Sequence, residues 1–267
     1  MPKPLTHRIK HWMLRDRISI VVVGCGGTGA ALVSGLPYLH HALLAAGHPS
    51  GVKVCVIDGD RITETNCVRQ PFTLSEVGLY KAQVLVNRLN VFWDLDWCAI
   101  PTHVRCGRDV PECDFLIGCV DTRAARATLA KVTRLKSRKY AYWIDTGNSA
   151  ASGQFVMGEP LRPLRKDRST RLPCIEELFP QMIQASLDKR DSLPACSAAG
   201  ALTKQEPYIN QAIAQLVLAM LARLFRHGEI SYHGGFINLA TGKVNPLPVD
   251  RAVWARLRGS VKLRRLP

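Results

Sequence analysis

At 267 residues the chain suits one large α/β domain able to bury a substantial core, and its 47% hydrophobic and 21% charged residues are ordinary for a soluble globular protein. Its apolar runs fall far short of a bilayer span and Met1–Arg17 lacks the apolar core of a secretory leader, so no membrane association is expected and the cytoplasm is the expected compartment. The formal charge of +15, from 36 Lys and Arg against 21 Asp and Glu, favours acidic partners, but no DNA-reading motif accompanies it, so nucleic acid is not the expected one.

Residues 5–15 read as a short amphipathic lead-in helix exposing Arg8, Lys10 and Arg15. Ile18–Val23 is a continuous β-branched run, short enough for a buried parallel strand. It breaks into Gly24-Cys25-Gly26-Gly27-Thr28-Gly29, and a helix follows to about Ala46, ending before Gly47-His48-Pro49. Gly24 permits the tight turn, Gly26 lets backbone N–H groups approach a phosphate, and Gly29 lets the helix pack close to the strand. A second strand, Val52–Ile57, ends in Asp58-Gly59-Asp60, where a carboxylate can accept hydrogen bonds from a ribose. No Lys-Ser/Thr follows the last glycine, so this is not a Walker loop.

Phe72–Gly78 reads as a turn and Lys81–Val91 as a helix with Val84, Leu85 and Leu89 on one face. Trp97–Ile100 and Asp114–Cys119 are strand candidates, the second leading through Asp121 into a helix over Ala124–Leu135. Asp121 thus stands at a strand's C-terminal end, where it can hold magnesium or cap the helix. Tyr140–Thr146 and Gly153–Gly158 read as antiparallel neighbours, and residues 159–171 as a mobile Pro- and charge-rich loop. A long helix, Gln211–Arg226, and a final strand, Ile230–Leu239, precede a basic tail over 251–267, read as exposed or partner-binding. The nine cysteines are odd in number and scattered, so reduced thiols are expected, with Cys25, Cys55 and Cys119 as small core hydrophobes.

The glycine turn alone fits a nicotinamide- or flavin-dependent oxidoreductase, and the charge fits a basic scaffold or nucleic-acid-binding protein. Asn66, Arg69 and Lys81 point elsewhere, because amide and cationic groups converging beside that turn suit an enzyme that must offset charge on a triphosphate. The ordered series Gly24/Gly26/Gly29, Asp58-x-Asp60, Asn66-x-x-Arg69-Gln70, Lys81 and Asp121 resembles the ThiF/MoeB and ubiquitin-activating enzyme superfamily over residues 17–225. Within it, the chain looks most like the ThiF-type proteins of bacterial PRTRC gene systems. Thr122 departs from the Asn usual after this Asp.

The resemblance implies a single Rossmann-like, doubly wound domain over 1–267, mostly parallel with antiparallel edge strands, in which 159–200 is a mobile crossover loop. It further implies an ATP-dependent adenylyltransferase that activates the C-terminal carboxylate of a small ubiquitin-like protein and works as a homodimer. Phosphates would lie on the Gly24, Gly26, Gly27 and Gly29 turn and the ribose on the Asp58/Asp60 loop. Asn66, Arg69 and Lys81 would surround the phosphates, and Asp121 would hold Mg²⁺. By position alone, Arg8 is the candidate for the arginine with which the family reaches the partner subunit's ATP; an exposed surface arginine is the competing reading. Cys196, in Pro194-Ala195-Cys196-Ser197, matches the family's thioester cysteine, which would pass the acyl group to a conjugating protein; a buried structural cysteine is the competing reading. Cys174 matches the first cysteine of a zinc half-site, but Glu177 stands in place of the second and no later C-x-x-C follows, so no zinc is expected; Cys174 is the fallback nucleophile.

Overall fold

Every residue of Ile18–Val23 except Ser19 is buried, as a strand covered on both faces requires, and this strand, β2, forms the middle of an eight-stranded sheet. The structure is a computed structural model describing residues 5–135, 140–160, 171–188 and 206–263. On one side β2 pairs in parallel with β3 (Val52–Ile57), and β3 with β4 (Cys98–Ile100). On the other it pairs in parallel with β5 (Cys113–Gly118), and β5 with β6 (Tyr140–Asn148). Beyond β6 the sheet turns antiparallel through β7 (Ser152–Gly158), β9 (Tyr232–Asn238) and β10 (Lys243–Pro248). The order β10-β9-β7-β6-β5-β2-β3-β4 is the expected doubly wound arrangement with antiparallel strands at one edge. The chain leaves β2 toward β3 and returns to start β5 on its other flank, so the topological switch lies between β2 and β5.

Helices α1 (Gly27–Ala45), α2 (Lys81–Trp93), α3 (Arg123–Thr133) and α5 (Ile209–His227) flank the sheet, with a short α4 (Ile175–Leu178). The four long ones lie within two residues of their expected bounds at nearly every end. Helices α1 and α5 pack closely: a Cβ on Gly35 would sit 2.3 Å from Leu218 Cδ1. No described helix is long and apolar enough to cross a membrane.

Four regions differ from expectation. Residues 5–15 form not a helix but strand β1 (His7–Arg8), antiparallel to β8 (Glu229–Ile230), and a 3-10 turn over His11–Leu14. Pairing with distant chain, and burial of Ile9 and Met13, outweigh local helical preference here. Strand β10 was hidden by Pro246 and Pro248; it is an edge strand, where a missing N–H costs no ladder bond. The basic tail is not simply exposed: Arg251–Leu263 is a helix, α6, anchored by Trp254, which is 6% exposed and meets the His233 ring edge-on at 5.3 Å. Within 159–200, Leu172, Cys174, Ile175 and Leu178 are core residues, so that part of the crossover is packed; residues 161–170 and 189–205 lie outside the described chain.

Candidate active site

A cavity of about 600 Å³ opens at the C-terminal ends of β2, β3, β5 and β6, above the switch point, where ligands bind in sheets of this kind. Its floor is the glycine turn. Gly24 adopts φ +96°, a left-handed conformation open to glycine, and a Cβ there would meet the Cys119 carbonyl oxygen at 2.5 Å. Gly29 brings the first turn of α1 against that bend, since its Cβ would lie 1.9 Å from the Gly24 oxygen. Gly26, the α1 N-cap, has open space where its Cβ would be, and no acidic residue occupies the first turn of α1. The helix therefore presents backbone N–H groups and the positive end of its dipole to the cavity.

These glycines make different demands. Gly29→Ala is expected to cost at least about 2 kcal/mol, because backbone must shift to admit the methyl group. Gly26→Ala should leave stability within about 0.5 kcal/mol of the parent. Urea midpoints of the two variants check the contrast.

Asp58 closes the second side. Its Oδ2 accepts a short hydrogen bond from Cys25 N and its Oδ1 one of 2.7 Å from Asp60 N, so the carboxylate cannot rotate. Burial pushes its pKa up, while those two N–H groups hold it down. Each oxygen keeps a further lone pair for a ligand hydroxyl. Lys81, the first residue of α2, is only 6% exposed and reaches Asp60 Oδ2 at 3.0 Å. Asn66 accepts Thr63 N through its side-chain oxygen at 3.0 Å, which leaves the amide nitrogen as the group to face an anion. Arg69 completes this wall of the cavity.

The opposite wall carries Asp121. The cap of α3 is its neighbour: Thr122 Oγ1 accepts Ala125 N at 3.2 Å. Asp188 accepts Arg123 N and Ala124 N at 2.9 and 3.0 Å. The first turn of α3 is thus served by other residues, and the exposed Asp121 carboxylate fronts the cavity. A hard, exposed carboxylate at a site that would receive phosphates fits a magnesium ligand. Beneath it, buried Arg126 ties α3 to β6, with Nε 3.1 Å from Asp145 Oδ1 and Nη2 donating to the Thr146 carbonyl at 3.0 Å.

Of the residues singled out in the sequence, Gly24, Gly26, Gly27, Asp58, Asp60, Asn66, Arg69, Lys81 and Asp121 all line this one cavity. Gly29 lies behind it, and Cys196 lies outside the described residues. Arg8 stands apart. Strand β1 pairs beside the C-terminal end of α5, whose N-terminal Asn210 lines the cavity, and 19 helical residues span about 28 Å. Arg8 therefore cannot reach its own chain's crevice; it faces Glu229 at 3.4 Å.

Sequence reasoning missed Thr102, His103 and Val104 after β4, Thr146, Gly147 and Asn148 at the end of β6, and Asn210, which accepts a 2.9 Å bond from Thr28 Oγ1. The strand order and the docking of α5, both unreadable beforehand, bring them in.

Cys174 is not presented for chemistry. It is 1% exposed, and burial pushes its thiol well above the ordinary range, so a thiolate is disfavoured. Its ligand atoms and those of Glu176 and Glu177 lie within 4.8 Å of one another. The two carboxylates, however, are already matched by guanidinium groups: Glu177 takes two bonds from Arg171, and Glu176 one from Arg134 at 2.9 Å. Glu177 also accepts Cys174 N at 2.9 Å, so it completes the capping box of α4, whose N-cap is Cys174.

The sequence profile of the ThiF family matches residues 13–252. No curated protein sequence matches the chain. Among solved structures, Escherichia coli MccB with ATP aligns at a TM-score of 0.58 and 20% identity, over 89% of this chain and 65% of its own. PaaA aligns at 0.57 and 14% over 87% and 64%, and E. coli MccB with MccA at 0.58 and 19% over 88% and 64%. The chain thus spans just under two thirds of each neighbour's length, and at these identities the likeness is one of fold.

Proposed function

Because the chain belongs to the ThiF family, we propose that it adenylates the C-terminal carboxylate of a protein or peptide at the expense of ATP. The observation that carries this reading is the convergence of Asn66, Arg69 and Lys81 on one wall of a crevice whose other wall bears Asp121 and whose floor is the glycine turn. That E. coli MccB was solved with ATP and with MccA supports the pairing of nucleotide and second substrate.

The triphosphate lies along the N-terminus of α1 with its ribose on Asp58. The acceptor carboxylate is ionised near neutral pH, so the attack needs no general base. One of its oxygens forms a bond to the α-phosphorus while the bond to the β-bridging oxygen breaks, and pyrophosphate departs with that electron pair. Arg69 and Lys81 offset the charge, and the work of the site is positioning and electrostatics. Asp121 would hold Mg²⁺, which when bound neutralises phosphate charge.

The acceptor we favour is a small ubiquitin-like protein, with Cys196 then taking the acyl group as a thioester for a conjugating partner. In that step the thiol gives up its proton, sulfur bonds to the carbonyl carbon and AMP leaves. What supports it is where the segment departs and returns. Asp188 is bonded to α3 beside Asp121, and Glu206 N donates to Ala150 O at 2.8 Å, two residues beyond Asn148 in the cavity wall. Cys196 is eight residues from Asp188, within an extended reach of about 27 Å. A homodimer is the assembly in which Arg8, remote from its own chain's crevice, would be able to serve a second copy's.

The test is ATP–pyrophosphate exchange with candidate ubiquitin-like proteins from the same gene neighbourhood. Exchange that needs an intact acceptor C-terminus is expected, with a reducible thioester that Cys196→Ala removes while exchange persists. Binding of NAD(H) with none of ATP would overturn the reading. A thioester undiminished by Cys196→Ala would overturn that assignment alone.

A further inference from the structure

Resting on the reading of the crevice as a triphosphate site, we infer that Asp60 is a counter-ion shared between Lys81 and His103, and that His103 is the positioning residue that releases Lys81 to the phosphates. Lys81 is tied to Asp60 twice, its Nζ to Oδ2 at 3.0 Å and its backbone N to the Asp60 carbonyl at 3.1 Å. An ammonium group this buried needs a negative partner, and in the free chain Asp60 is that partner. Asp60 therefore competes with a phosphate for that ammonium.

His103 stands on the far side of the same carboxylate, with Nε2 3.9 Å from Asp60 Oδ1. Its ring lies over Gly59, with ring atoms 2.7–2.8 Å from the position a Cβ would take, so a side chain at residue 59 would displace it. Lys81, Asp60 and His103 all line the cavity, and the His103 side chain is 63% exposed. A shift of about 1 Å brings its ring nitrogen within hydrogen-bond range of Asp60.

Once Lys81 turns to a phosphate, Asp60 would be left negative beside Asp58 and the incoming oxyanions. Arg61, the next residue, is engaged elsewhere, donating to the Gly78 carbonyl and lying over the Tyr80 ring at 4.1 Å. The backbone N–H groups of Cys25 and Asp60 hold Asp58 in place. His103 is the group placed to take the carboxylate over. The exchange is of partners: phosphate replaces Asp60 at Lys81, and His103 replaces Lys81 at Asp60.

Calorimetric titration of ATP with Mg²⁺ into the full chain tests this through a double-mutant cycle. His103→Ala is expected to weaken binding about tenfold, because Asp60 then keeps its hold on Lys81. Asp60→Asn should tighten it severalfold. In the Asp60→Asn background the His103→Ala penalty should vanish. Both side chains are more than half exposed, so the variants should fold, and Asp60→Ser carries the same arm should Asp60→Asn not. A penalty that persists undiminished without Asp60, or no penalty in the parent, overturns the inference. Parent protein that binds no ATP overturns instead the triphosphate reading on which it rests.

Discussion

Asp121→Ala is expected to abolish ATP–pyrophosphate exchange, lowering it at least about a hundredfold, while the urea midpoint stays within about 0.5 kcal/mol of the parent. The two halves of that result separate the roles open to this residue. Were Asp121 the cap of α3, its loss would cost about 1 kcal/mol of stability. The cap is Thr122, and Asp188 serves the next two N–H groups, so α3 has no need of the Asp121 carboxylate. An exposed carboxylate fronting the cavity would then have its use in the proposed reaction. A variant that exchanges pyrophosphate normally, or that unfolds, removes Asp121 from the site.

Arg126→Ala should be the more damaging change to the fold, by about 3–5 kcal/mol at pH 8, because Asp145 is fully buried and its Oδ2 has no hydrogen-bond partner among the described residues. Burial pushes the Asp145 pKa up to about 7 even beside the Arg126 guanidinium. The unfolded value is about 3.9, so the folded state binds this proton more readily than the unfolded one. The group's stabilising contribution is therefore complete below about pH 4 and falls away as pH rises through 7. Without Arg126 the carboxyl is driven further toward its neutral form, so the deficit of the variant should be clearly smaller at pH 5 than at pH 8. Urea denaturation of parent and variant at both values measures it. A deficit equal at the two would mean that Asp145 carries no strained charge.

Some of this site was legible in the residues alone and some was not. Gly24, Gly26, Gly29 and Asp58 were legible because their jobs are local: a strand end, a tight bend and a helix start within a few residues dictate which side chains fit. Lys81 and Asp121 were legible as members of an ordered series, though only the structure shows that Thr122 frees Asp121 from capping. His103, Asn148 and Asn210 were illegible, since each reaches the crevice through the order of strands or the docking of the last long helix. The same non-local cause turned residues 7–8 into a strand, through pairing with Ile230 and Glu229. Trp254 likewise gave no sign in a basic run that it would find a place against His233.

The bond between Thr28 and Asn210 joins residues 182 positions apart, and α1 and α5 lie flush where Gly35 meets Leu218. During synthesis the glycine bend, Asp58 and Lys81 leave the ribosome long before the helix that backs them. Until α5 has emerged and docked, α1 lacks its neighbour, so the nascent chain should acquire nucleotide affinity late, in one step.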